Sequence, residues 1–329
     1  MDPYPPFCTS FLETMTITAF TEGQWQPHQT QPLQPLSLHP AAHVLQYAGT
    51  CFEGIKVFHG VDGIDRIFRM DQHIARFRNS ARLLCLPVPP AELVETMIRA
   101  LVARLRDHIP PHSGALYVRP TLIGETVSGW GKPIDRARLF VLATQVGDYF
   151  QSGLKPVSIY IDDQHTRTSP DFGIAKAGAN YACSLHHVMQ ARAAHQVDQV
   201  LFAPDGDVQE TGATNFLILN DQEVVTKRLT PAFLHGITRD ALLKLAADLG
   251  YRVSERDISV EEVLEWAKTG EAALSGTAAT LIGIGSFIYQ DRTYPVGDGS
   301  LKNTQALRRA LIDIQTAAAP DNYAWLTQI

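Results

Sequence analysis

The sequence predicts an α+β fold divided into two domains. Three observations carry this. The chain has 329 residues, enough for two cores of about 150 residues each. Strand-like and helix-like periodicities both recur along its length. A polar, glycine-punctuated stretch, Gly147-Asp148-Tyr149-Phe150-Gln151-Ser152-Gly153, interrupts two apolar strand patterns near the middle. The boundaries follow as residues 1–146 for a small N-terminal domain, 147–153 for an interdomain loop and 154–329 for a larger C-terminal domain.

In the first domain, Gly54 to His59 alternates as a strand does, Val61-Asp62-Gly63 signals a hairpin, and Ile64 to Phe68 resumes the strand. Asp71 reads as the N-cap of a helix whose apolar positions are Ile74, Phe77, Ala81 and Leu84. A second helix runs from about Ala91 to Asp107 and stops at Pro110-Pro111. Ala115 to Ile123 and Leu139 to Thr144 follow as strands. The second domain opens with a strand from Pro156 to Asp162 and a helix through Leu185, Val188, Met189 and Ala193. Two strands flank Pro204-Asp205-Gly206, Asn215 to Leu219 pairs with Glu223 to Thr226 around Asn220-Asp221, and helices lie near 238–249, 260–268 and 303–315.

Composition excludes several function classes. With 45% hydrophobic and 19% charged residues the chain has a globular balance. A formal charge of -6 and scattered Arg and Lys leave no basic face for nucleic acid. Met1 to Phe20 has no Lys or Arg, so no secretory n-region is expected, and no apolar run reaches the roughly 18 residues that span a bilayer. Cys8, Cys51, Cys85 and Cys183 form no CxxC pair; they read as reduced thiols of a cytoplasmic protein, with no metal site expected.

Lys176 is the residue with the strongest chemical signature. It stands alone in Ile174-Ala175-Lys176-Ala177-Gly178-Ala179-Asn180-Tyr181, among small neighbours that let a flat ligand come close. Partial desolvation lowers an amine's pKa, which a Schiff-base lysine requires. The same pattern also fits a solvated loop lysine. Gly236-Ile237-Thr238-Arg239-Asp240 leads into the helical pattern Leu242, Leu245, Leu249, with Thr238 as the expected cap and Gly250 at C′. A glycine before a helix N-terminus leaves amides facing outward, as a phosphate needs, although an ordinary capped helix looks the same. Leu274-Ser275-Gly276-Thr277-Ala278-Ala279 is a second small-residue turn whose amides can bind an anion, although taken alone it reads first as an ordinary tight turn. Two such turns and a cramped lysine point to pyridoxal phosphate. Glu210 is the candidate partner for its ring nitrogen, and equally a surface-loop acid. Tyr117 and Arg119 share one strand face and can hold a carboxylate between them, and an exposed strand face would show the same pattern. Tyr47 to Lys56 fits a pocket wall or a packed turn.

At these residues the chain resembles the fold-type IV pyridoxal-phosphate enzymes, most of all the branched-chain amino acid aminotransferases. The likeness runs from about residue 40 to 315. It rests on Phe52-Glu53-Gly54-Ile55-Lys56, Tyr117-Val118-Arg119-Pro120-Thr121, the Lys176 run, Glu210 to Asn215, Gly236 to Asp240 and Ser275 to Ala279. It implies a D-amino acid aminotransferase-like architecture: a small N-terminal α/β domain and a larger domain with a β-barrel-like core. It implies pyridoxal 5'-phosphate on Lys176, Glu210 at the pyridine nitrogen and Tyr181 at the phenolic oxygen. Arg76, three residues after His73, is implied to bind the phosphate with Ile237, Thr238 and Thr277. Tyr117 and the Thr277–Ala278 amides are implied for the α-carboxylate. Phe52, Tyr47, Tyr149 and Tyr181 would form the side-chain pocket, with Arg119 for the distal carboxylate of glutamate.

Family members are homodimers, or larger homo-oligomers, with shared active sites, and Trp130 is similar in position to a residue donated by the neighbouring subunit. Substrates would be amino acids and 2-oxo acids, with neither nucleic acid nor membrane as a partner. Thr280 and Gly283 depart from the residues relatives often carry, and residues 1–15 match no motif. A D-amino acid transaminase, a transaminase for an unusual amino acid, an aminodeoxychorismate lyase and a non-catalytic relative are the rival readings.

Overall fold

The computed structural model describes Tyr4 and residues 7–111, 114–147 and 155–329. Tyr149, and residues 148–153 of the expected interdomain loop, lie outside the described residues. In chain order the elements are β1 Thr14–Thr21, β2 Gln24–Trp25, β3 Gln29–Pro32, α1 His43–Tyr47, β4 Thr50–Phe52, β5 Ile55–His59, β6 Asp65–Phe68, α2 Met70–Leu83, α3 Ala91–Arg104, β7 Gly114–Gly124, β8 Ala137–Gly147 and β9 Val157–Asp162. They continue with α4 Gly178–His195, β10 Gln199–Phe202, β11 Asn215–Leu219, β12 Glu223–Thr226, α5 Ile237–Asp248, β13 Arg252–Glu255, α6 Val260–Trp266, β14 Glu271–Gly276, β15 Thr280–Tyr289, β16 Arg292–Pro295, α7 Lys302–Gln315 and β17 Leu326–Gln328. No described helix is long and apolar enough to cross a membrane.

The chain forms two compact units. The first comprises Met1–Gln151, Ala175–Ala179 and Ile314–Ile329; the second comprises Ser152–Ile174 and Asn180–Asp313. Two short returns therefore make the first unit discontinuous, and one of them carries Lys176.

The first unit is built on an antiparallel sheet in the order β17-β6-β5-β7-β8-β1-β2, with β3 on β1 and β4 on β7. α2 buries Met70, His73, Ile74, Phe77, Ser80 and Ala81, a stripe at helical spacing. Its apolar members pack with Met97, Ile98 and Leu101 of α3 and with Val57, Leu116, Val118 and Leu122 of the sheet. His73 and Ser80 are the two polar positions in that stripe, and both serve the site below.

The second unit carries a mixed sheet in the order β10-β9-β15-β14-β11-β12-β13, with β16 on β15. It curls into a half-barrel, in keeping with the barrel-like core expected. β9 pairs parallel with both β10 and β15, and β12 with β13; the remaining ladders are antiparallel.

Several local expectations need correction. Asp71 is not the cap of α2. The N-cap is Arg69 in the left-handed region, φ 52° and ψ 39°, because the chain turns into the helix directly from β6. The Arg69 amide donates to the Trp325 carbonyl at 2.6 Å, and Asp71 sits in the first turn, where its charge favours the helix dipole. Thr238 is likewise inside its helix, and Gly236 is the N-cap. α3 ends at Arg104 and a 3-10 turn takes Arg106–His108. After Pro204–Gly206 no second strand forms: Glu210 and Thr211 make isolated bridges only, and the Thr211 hydroxyl accepts from the Thr214 amide. In α4, Leu185 and Met189 are more than half exposed, while Asn180, Ser184, Val188 and Ala191 are the buried positions.

Candidate active site

In the first unit the site is organised by Glu53, which is fully buried. It lies between β4 and β5 and faces α2. Arg76 donates from Nε to Oε1 at 2.6 Å and from Nη2 to Oε2 at 2.9 Å. His73 Nδ1 lies 2.8 Å from Oε2, and the Gly54 amide donates to the same oxygen at 3.1 Å. Burial pushes the Glu53 carboxyl up, but Arg76 and His73 overrule it and hold the group well below the usual carboxylate range. Burial also pushes His73 down, against the pull of Glu53, so the ring stays neutral and donates its Nδ1 proton. A buried anion thus fixes the arginine that the sequence nominated for phosphate.

The run holding Lys176 lies along β4. Its carbonyl accepts from the Phe52 amide at 3.1 Å, its amide donates to the buried Ser80 hydroxyl at 2.9 Å, and Ala177 bridges Cys51. Ala175 and Ala177 are buried on either side of a half-buried Lys176. The small residues thus have a packing reason, close approach to a strand. Lys176 Nζ is 5.0 Å from the centroid of the Phe52 ring.

Tyr117 and Arg119 share one face of β7, as their spacing predicts. Arg119 Nη2 is 3.5 Å from the Tyr117 hydroxyl, and its guanidinium lies 5.0 Å from the Phe52 ring and 5.5 Å from the Tyr117 ring. Burial pushes the Tyr117 phenol up to about 12, with Arg119 opposing, so the group remains a hydrogen-bond donor near neutral pH. Gly54 makes room for it: a Cβ there would stand 1.9 Å from the Tyr117 hydroxyl. The N-terminal segment, which sequence reasoning left without a role, also reaches this place. Phe7 packs edge-on against Tyr117 with centroids 4.8 Å apart, and Cys8 feels the charge of Arg119.

In the second unit Glu210 is the centre and is 2% exposed. Its Oε1 accepts from Arg167 Nη1 at 2.6 Å and from the Leu234 amide at 3.0 Å, and its Oε2 accepts from Asn215 Nδ2 at 3.0 Å. Arg167, as buried as its partner, also donates to the Gly212 carbonyl at 3.2 Å and places its guanidinium 5.4 Å from the Tyr181 ring. This arginine was missed: between two threonines and before Ser169-Pro170, it reads as a loop residue.

Asn215 links the acid to both anion turns. It pairs with Ser275 across β11 and β14, and its Oδ1 stands where a Cβ on Gly236 would fall, at 1.9 Å. Gly236 is therefore required by its neighbour; its own backbone is extended, with φ -72°. No side chain caps α5, so the first-turn amides around Ile237 and Thr238 have no side-chain acceptor. The Ser275 hydroxyl is buried without a hydrogen-bond partner. Thr277, Ala278 and Ala279 form the loop between β14 and β15, closed by Thr280 in the left-handed region at φ 61°. Donors without acceptors at a twelve-residue helix N-terminus fit a phosphate.

The predicted residues thus fall into two groups. Phe52, Arg76, Tyr117, Arg119 and Lys176 gather in the first unit; Tyr181, Glu210, Ile237, Thr238, Thr277 and Ala278 belong to the second. Tyr47, at the end of α1, is partly exposed and lies 5.3 Å from the His43 ring. Trp130 is 82% exposed. Glu53, His73, Ser80, Arg167 and Asn215 were not nominated. His73 and Ser80 were legible as polar residues in an apolar stripe.

Residues 50–287 match the family model of the amino-transferase class IV. Among curated proteins, a probable branched-chain-amino-acid aminotransferase of Streptomyces coelicolor is 36% identical, covering 98% of this chain and 92% of the relative. The cytosolic branched-chain-amino-acid aminotransferase of Saccharomyces cerevisiae is 37% identical over 83% of this chain and 77% of its own. Among solved structures, a T.th. branched-chain amino acid aminotransferase with pyridoxamine 5'-phosphate superposes with a TM-score of 0.79 at 26% identity, covering 94% of this chain and 97% of that one. With the sequence match spanning well over half its length and the two-unit fold shared, the chain belongs to the class IV aminotransferases.

Proposed function

We propose that the protein moves the amino group of the branched-chain L-amino acids leucine, isoleucine and valine to 2-oxoglutarate, giving the branched-chain 2-oxo acids and L-glutamate, with pyridoxal 5'-phosphate as cofactor. The observation that carries this is Glu210, a buried carboxylate ion-paired with a buried arginine. When bound, pyridoxal phosphate supplies an aldehyde that takes up the amino group and a ring that withdraws electrons from the reacting carbon.

Each residue then has one task. Lys176 anchors the cofactor and moves the proton at the substrate's Cα. Glu210 holds the proton on the ring nitrogen, a charge-assisted bond worth about 1.5–3 kcal/mol. Tyr181 donates to the phenolic oxygen. Arg76, with the amides at Ile237 and Thr238 and the Thr277 hydroxyl, holds the phosphate. The protonated Tyr117 phenol and the Thr277–Ala278 amides hold the α-carboxylate. Phe52, Tyr47 and Tyr149 accept the aliphatic side chain, and Arg119 pairs with the distal carboxylate of glutamate, so one pocket serves both half-reactions. The exposed Trp130, Leu185 and Met189 support assembly with a second copy of the chain, Trp130 reaching the copy's site. All four cysteines are unpaired thiols, which suits the reducing cytoplasm.

The test is a visible spectrum of the purified protein with pyridoxal phosphate, before and after L-leucine and then 2-oxoglutarate. A yellow band that leucine abolishes and 2-oxoglutarate restores establishes both half-reactions. A band that D-amino acids change and L-leucine does not assigns a different transaminase specificity. Failure to take up the cofactor removes the reading altogether.

A further inference from the structure

We propose that Asp162, His165 and His187 bind one divalent transition-metal ion of the zinc class, a site none of the transamination chemistry uses. Asp162 ends β9, His165 follows in the loop and His187 comes from α4, so the site ties a strand end to a helix within the second unit. One ligand atom from each of the three lies within 4.8 Å of the others. The rings of His165 and His187 are stacked, with centroids 4.1 Å apart and planes 28° from parallel.

The local bonding prepares Asp162 for this role. The carboxylate is buried, and its Oδ1 accepts from the Gln164 and His165 amides at 3.0 and 3.1 Å. Its Oδ2 lies 3.0 Å from His165 Nδ1. Those two atoms are already near the spacing of two ligands on one ion, since metal–ligand bonds of about 2.0–2.1 Å place tetrahedral ligands roughly 3.3 Å apart. His165 is half exposed, so its ring can turn out of the stack and aim an in-plane nitrogen lone pair at the point His187 faces.

The donor chemistry points to the class of ion. Two neutral imidazoles and one carboxylate neutralise half the charge of a divalent ion and leave a fourth position for water. That donor set suits zinc, cobalt, nickel or copper; magnesium and calcium take oxygen ligands. The buried wall of the site is Phe202, whose ring meets His187 edge-on at 6.3 Å.

The experiment titrates Zn2+ into chelator-treated holoenzyme by calorimetry near neutral pH, with Co2+ as a coloured probe in parallel. The expected result is one equivalent bound to the wild type, cobalt ligand-field bands of a nitrogen–oxygen site, and a rise in the unfolding midpoint with Zn2+. Asp162→Asn keeps an oxygen for the two turn amides and removes the anionic ligand. It, His165→Gln and His187→Gln should each weaken binding by at least about 10–100-fold. His195→Gln is the control, because His195 stacks on Tyr160 at 4.6 Å on the same helix and should bind as the wild type does. Binding that survives the two histidine substitutions, or the absence of saturable binding to the wild type, overturns the proposal.

Discussion

Two buried glutamates, one in each unit, are paired with an arginine, and the pairs differ in how deeply the arginine is buried. At Glu53 the acid side chain is fully buried and Arg76 is 12% exposed. At Glu210 the acid and Arg167 are equally buried, at 3% and 2%. In the first pair the carboxylate spends both oxygens on Arg76, His73 and the Gly54 amide. It exists to hold the arginine. In the second, the arginine reaches no surface, and its guanidinium is spent on the acid and on the Gly212 carbonyl. The same ion pair is thus built twice, once with the arginine as its more exposed member and once with neither member exposed.

The comparison can be broken in order of expected effect. Lys176→Ala abolishes turnover, with steady-state transamination falling by at least about 10⁴-fold while the far-ultraviolet dichroism is unchanged. Residual turnover near the wild-type rate would remove Lys176 from the chemistry. Glu210→Gln lowers kcat by about 10²–10³-fold at saturating cofactor and substrate. It also costs about 3–5 kcal/mol of stability, because Arg167 is left buried without a counter-charge. Adding Arg167→Met to that variant should restore stability in urea and not the rate. If rate returns with stability, Glu210 is structural after all.

Glu53→Gln should behave in the opposite way. Stability falls by about 3–5 kcal/mol, and affinity for pyridoxal phosphate falls about 10–100-fold as Arg76 loses its charge-assisted partner. Measured at saturating cofactor, kcat should stay within a few-fold of the wild type. The pH dependence of unfolding sharpens the point. His73 and Glu53 both have folded-state values below their unfolded ones, so the unfolded chain binds more protons and stability rises with pH. The wild type should lose stability as pH falls below about 6.5, where His73 must charge, and again below about 4.3, where Glu53 must protonate. Urea midpoints across that range should show both steps, and Glu53→Gln should reduce the lower one, to which other carboxylates with lowered values such as Asp163 also contribute.

Smaller effects belong to the Tyr117 face. Gly54→Ala puts a methyl into the space of the Tyr117 hydroxyl, and Tyr117→Phe removes the hydroxyl itself. Either should raise KM about tenfold, the value of one hydrogen bond. Phe7→Ala removes an edge-to-face contact worth about 0.5–1.5 kcal/mol and should raise KM by roughly two- to tenfold. An unchanged KM would show that the N-terminal segment only packs.

Much of the site was legible because its residues combine a rare type with an unusual setting. A lone lysine among small residues, two small-residue turns and a tyrosine and arginine two apart on a strand are each visible in the chain. The supporting residues were hidden because their neighbours in space are distant in sequence. Arg167 meets Glu210 across 43 positions and Arg76 meets Glu53 across 23. The misplaced caps have another cause: Asp71 and Thr238 have the right residue type, yet the turn before each helix is set by a contact from elsewhere, the Trp325 carbonyl in one case and the Asn215 side chain in the other.

By itself the sequence determined the alternation of strands and helices, the apolar stripe of α2, the membership of the family and the setting of Lys176 among small residues, because these depend on residue type and local spacing. Tertiary structure decided which arginine each buried glutamate meets, where Phe7 docks, and that Asp162, His165 and His187 come close together. Burial and long-range pairing set those outcomes, and neither is a property of a short stretch of chain.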